Sequence, residues 1–159
     1  MTRIFRLAAT ALVFLSFTRF GFADWDFTKW GMSLNQVVTA SGGRARTLTP
    51  DRAKAESSFI GLSCQAQIAS PYTLAGLSFQ KVNFCFDGDG RLQSVDLYTG
   101  GNDFEQVDRT LAAAFGAPAK SEGGSLPERI YVDRAKGNSL RLIRVSSTIL
   151  SYRPIPSGF

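Results

Sequence analysis

Two short helices with sharply marked ends punctuate a chain whose other apolar residues mostly alternate with the two-residue period of strands. A chain built this way must lay helices against an antiparallel sheet, because strands separated by tight turns cannot make parallel crossovers. The first helix is expected from Ser33 to about Ser41. Ser33 can cap it while Gln36 reaches back, Met32 and Val37 can staple its entry, and Gly42-Gly43 allow a left-handed exit. Leu34, Val37 and Val38 form its apolar stripe. The second is expected from about Asp103 to Phe115, with Asn102 and Glu105 as the capping pair, Gly116 as the stop and Pro118 preventing continuation. Its buried face would be Phe104, Val107, Leu111, Ala114 and Phe115.

Between the helices, residues 56–68, 77–86 and 91–98 read as three strands. Ser70-Pro71-Tyr72 through Gly76 would link the first two, and Asp87-Gly88-Asp89-Gly90 the next, its glycines supplying the positive φ of a tight hairpin. Val82, Phe84 and Phe86 alternate with Lys81, Asn83 and Cys85, so the apolar set should face the helices. Residues 127–133, 138–145 and 148–153 suggest three further strands, with weaker alternation. The expected fold is therefore α+β, with two short helices on one face of an antiparallel sheet, in the order α-β-β-β-α-β-β-β. That order fits either a tandem duplication or a single domain with one sheet.

Residues 1–23 have the composition of an export signal: Arg3 and Arg6 first, then an apolar run from Leu7 to Phe17, then Gly21-Phe22-Ala23 before Asp24. A membrane span would need roughly 20 apolar residues, and Arg19 interrupts this run. Residues 24–159 would then be one mature α+β domain, periplasmic or secreted, with no stable membrane anchor. Loss of Arg3, Arg6 and Arg19 lowers the formal charge from +5 to +2, because no acid leaves with them. So small an excess gives little support for nucleic-acid binding, which needs a concentrated basic face. The sequence contains no histidine, which removes serine–histidine and cysteine–histidine nucleophile pairs and histidine zinc sites.

Cys64 and Cys85 are the only cysteines, and an exported chain would pair them as a structural disulfide. Free thiols or a redox pair are the alternatives. A hairpin pairing Ala66 with Asn83 would set the two cysteines opposite one another, but Cys64 shares a face with Leu62 and Ala66 whereas Cys85 lies on the polar face of its strand. A β-bulge near Gly61 or Gly76 would reconcile them.

Trp30-Gly31-Met32-Ser33-Leu34-Asn35-Gln36-Val37 and the Phe115-Gly116-Ala117-Pro118 helix end resemble segments of small exported bacterial proteins. Two groups are similar: β-lactamase-inhibitor-protein-like domains and SmpA/OmlA outer-membrane assembly lipoproteins. The resemblance implies helices packed on an antiparallel sheet. The chain lacks the lipidated cysteine of the second group.

No enzyme motif stands out. Asp87-x-Asp89-Gly90 begins like a calcium loop, but Arg91 and Tyr98 occupy positions that need oxygen ligands. Asp103, Glu105 and Asp108 sit where a helix start favours negative charge. No metal or cofactor is expected. The leading expectation is a non-enzymatic module that binds an envelope or secreted protein, an inhibitor-like role being one version, through an exposed sheet face or the basic loop of Arg44, Arg46, Arg52 and Lys54. Trp25 and Trp30 are further candidate contacts; the same rings could instead complete the core. The alternatives are a small-ligand protein with a cavity between helices and sheet, and a histidine-free hydrolase using acids among Asp87, Asp89, Asp96 and Asp133.

Overall fold

A computed structural model describes residues 24–58, 60–99 and 104–156. The expected export signal and the Asn102 cap lie outside them. The chain opens with a two-stranded hairpin, β1 (Asp24–Trp25) and β2 (Thr28–Lys29), followed by α1 (Leu34–Ala40). Ser33 and Gln36 form the reciprocal capping box expected of them. After α1 come β3 (Arg46–Thr47), α2 (Pro50–Ala55), β4 (Ser63–Ile68), β5 (Tyr72–Leu74), β6 (Leu77–Phe79), β7 (Lys81–Phe86) and β8 (Leu92–Tyr98). The remainder is α3 (Phe104–Phe115), β9 (Lys120–Glu122), β10 (Glu128–Asp133), β11 (Asn138–Arg144) and β12 (Thr148–Pro154).

The fold is α+β, with an eight-stranded antiparallel sheet ordered β3-β4-β7-β8-β12-β11-β10-β9. The element order is richer than expected. The basic stretch after α1 is not a linker, for it holds edge strand β3 and helix α2, which Pro50 and Asp51 start. Residues 56–58 and 60–62 are not strand; Gly61 donates to the Ser58 carbonyl and Ser58 Oγ accepts from the Leu62 N–H. The strand expected over 77–86 divides at Gln80. Its first part pairs with β5 as a separate hairpin, and only Lys81–Phe86 enters the main sheet. Each half of the main sheet supplies four strands, preceded by a helix, and the last strands of the halves, β8 and β12, meet at its centre.

Alternation decides the faces. Val82, Phe84, Val95, Leu97, Leu140, Leu142 and Leu150 point to one side and join a core with Val37 of α1 and Phe104, Val107 and Leu111 of α3. Burying a side chain of this size contributes about 1.5–3 kcal/mol. Tyr131 fastens α3 to the sheet by donating its hydroxyl hydrogen to Asp108. The two small hairpins close the same side, with Trp25, Leu77 and Phe79 all buried.

Cys64 and Cys85 are paired in register and joined as a disulfide. The register differs from the expected one beyond that point: Ala66 faces Phe84, not Asn83. The extra residue is Gln65, between Cys64 and Ala66, and not a glycine. The resulting bulge resolves the conflict of faces, turning Ala66 into the core while both cysteines stay on the opposite side with Asn83.

Candidate functional site

The second face of the sheet is largely polar, with Ile143 and Ile149 as buried apolar exceptions. Following the register across it, one row runs through Gln67, Asn83, Asp96, Ser151 and Arg141, and Glu128 lies in an adjacent row. Gln67 donates its amide to Asn83 Oδ1 at 2.7 Å, and Arg141 pairs with Glu128 at 2.8 Å. Glu56, just after α2, reaches over the same face and accepts from Asn83 and Lys81. Lys81 Nζ lies 4.4 Å from the centre of the Tyr98 ring, and burial together with the Asp96 and Glu56 charges pushes the Tyr98 hydroxyl up to about 12.

Asp96 is the least ordinary group there, at 1% exposure. Burial raises its carboxyl above the usual aspartate range, against hydrogen bonds from Ser94 and Ser151 and the charge of Arg153. Its folded state therefore keeps a proton that the unfolded chain has lost, and stability falls as pH rises above the unfolded value of about 3.9 through the folded one. Asp96→Asn removes that titration and keeps the hydrogen-bonding shape. The variant should be more stable than the parent at pH 7, with the gap closing toward pH 4 in a series of urea melts; an equal gap at both pH values would contradict this.

Arg153 follows Ser151 on the same face. Its Nε and Nη2 are shielded from solvent and have no acceptor. Burial lowers the guanidinium from its ordinary value, and Asp96 opposes the change. Beside it Ile60, 47% exposed, and Leu62, Ile155 and Pro156 line a depression of about 430 Å³.

The residues expected as contacts fall in different places. Arg44 is bound at 3.1 Å by Asp26 and stands 4.6 Å over the Phe27 ring. Arg44, Arg46 and Arg52 line one open depression of about 560 Å³ at the β3 edge, while Lys54 lies exposed on α2. Trp25 is in the core at 3% exposure, and Trp30 is half-buried, donating its indole N–H to Asn138 at 3.0 Å. The four acids considered for hydrolysis do not line a common cavity. Asp87 binds its own hairpin through the N–H groups of Asp89 and Arg91, Asp96 is under the polar face, and Asp133 accepts from the Lys136 N–H on the apolar side. Cys64, Cys85 and Asp96 offer three potential metal-ligand atoms within 4.8 Å, but the disulfide occupies both sulfurs.

Sequence reasoning did not single out Ile60 or Arg153 as a pair. Alternation in 148–153 places Arg153 on the Ser151 face, but the turn that brings Ile60 beside it has no periodic signal. Compared with protein-family models, curated proteins and solved structures, the chain returns no significant match. Its α+β architecture and its polar sheet face define it at the level of class. Among the described residues no helix is long and apolar enough to cross a membrane.

Proposed function

We propose that residues 24–159 act as an exported, non-enzymatic binding protein, and that the polar sheet face around Arg153 and Ile60 contacts a partner protein. The observation that carries this reading is the Arg153 guanidinium, with two N–H groups lacking acceptors next to an exposed isoleucine. An unsatisfied buried donor costs about 1–3 kcal/mol, which a partner's carboxylate would relieve once the guanidinium turns out into the depression that Arg153 lines. The fitting partner is a segment presenting an acidic residue beside an apolar one, with Arg153 and Ile60 as its anchors. The basic edge is the weaker candidate, because Arg44 is already engaged by Asp26. The mirrored order of the four main-sheet strands from each half supports an origin by tandem duplication, with α2 and the β5–β6 hairpin added in the first half, and the Trp30–Val37 segment is consistent with an inhibitor-like domain.

Affinity capture from an envelope extract tests the reading with four baits: the mature chain, Ile60→Asp, Arg153→Gln, and the quadruple alanine variant of Arg44, Arg46, Arg52 and Lys54. A stoichiometric partner retained by the first and last, and depleted at least about tenfold by the other two, is expected. Equal retention by all four baits, or loss confined to the quadruple variant, would move the contact elsewhere. Export itself is tested by the mass of the envelope-borne protein, which should correspond to a chain starting at Asp24.

A further inference from the structure

A cavity of about 330 Å³ lies on the opposite side of the sheet, between α3, the two small hairpins and the ends of β10–β12. That volume is at the lower end for small-molecule pockets, roughly 300–1,000 Å³. Four aromatic residues from four separate segments line it, Trp25, Tyr72, Phe115 and Tyr152. The Trp25 ring centre is 5.2 Å from that of Tyr72 and 6.4 Å from that of Tyr152. Trp25 is only 3% exposed, and its solvent-shielded indole N–H has no acceptor. Tryptophan N–H groups ordinarily find a partner when buried.

The polar lining is specific. Asp26 and Asp133 contribute carboxylates, and Lys136 the ammonium at the exposed rim. Asp26 accepts the Tyr72 hydroxyl hydrogen at 3.2 Å. Burial and the Asp26 charge push Tyr72 up to about 12, and burial, Tyr72 and Asp133 raise Tyr152 further, so both phenols stay neutral. Neutral phenol and indole rings present electron-rich faces to a cation. Among the described residues, the two non-glycine positions with left-handed backbone are Asp26, at φ 49°, and Ala75, at φ 50°, and both line this cavity. Such conformations cost of order 1–3 kcal/mol and cluster at functional sites.

We propose that this cavity binds a small organic ammonium compound, its cationic group against the Trp25, Tyr72 and Tyr152 rings and near Asp133, and a hydroxyl or carboxylate accepting from Lys136 at the rim. The site is independent of the protein contact at Arg153, which lies on the other face of the sheet.

Calorimetric titration of the mature protein with choline, and with 3,3-dimethylbutan-1-ol as its uncharged carbon isostere, tests the proposal directly. Choline should bind one to one, at least about tenfold more tightly than the isostere. Asp133→Asn, which can still accept from the Lys136 N–H, should weaken choline severalfold and leave the isostere unchanged; Tyr152→Leu should weaken choline most. Equal affinity for choline and the isostere in the unmodified protein would overturn the proposal, whatever the variants do. So would failure of choline to bind with a Kd of about 1 mM or tighter.

Discussion

Replacing Phe84 with alanine should lower the free energy of unfolding by about 3–5 kcal/mol, the range for truncating a fully buried aromatic side chain. Phe84 is 0% exposed at the middle of the core, and its ring meets those of Trp25 and Phe27 edge-on or tilted, each at 5.7 Å between centres. The loss thus combines transfer of the ring to water, the hole left behind and two aromatic contacts. The β1–β2 hairpin carrying Trp25 is also held by Asp26, which takes Arg44 and the Tyr72 hydroxyl, by the Trp25 ring against Tyr72 and Tyr152, and by the Gly31 N–H donated to Leu92 at 3.0 Å. Phe84→Leu keeps most of the volume and should cost less than half as much. Urea unfolding with an unchanged slope would report lost stability alone; a cost for Phe84→Ala under about 1.5 kcal/mol would mean that the hairpin collapses into the gap.

The same residue illustrates what was legible beforehand. Strict alternation from Val82 to Phe86 fixes which side of β7 enters the apolar core, and the Ser33–Gln36 box sets the start of α1, because both follow from local chemistry. Helix α2 carries its signals too, Pro50 and Asp51, but none of its residues is buried, so no apolar stripe marks it. The β5–β6 hairpin is concealed by Ala75, which holds a left-handed conformation that sequence rules assign to glycine or asparagine. The bulge at Gln65 is hidden for a similar reason: a bulge whose first residue is near the helical region requires no glycine. The aromatic cavity was least legible of all. Trp25, Tyr72 and Tyr152 become neighbours only through long-range pairing, and each alone reads as core.

Removing both cysteines, as Cys64→Ala with Cys85→Ala, should destabilise the protein by about 3 kcal/mol, since the bridge closes a loop with a sequence separation of 21. The bridge ties β4 to β7 at the position next to the bulge, so it also holds the register that directs Ala66 inward and Gln67 toward Asn83. Both sulfurs are fully buried, and Cys85 Sγ lies 3.8 Å from Asp96 Oδ2. A thiolate formed there would face a low-dielectric pocket beside a carboxyl group, which disfavours the charged form and the exchange chemistry that depends on it. Reductant should accordingly leave the folded protein oxidised and act only once denaturant exposes the bridge. Thiol titration during a urea series separates the possibilities: free thiols appearing with the unfolding transition support a structural bridge, whereas free thiols in the native baseline would mark an accessible, exchangeable pair and cancel the expected loss of stability.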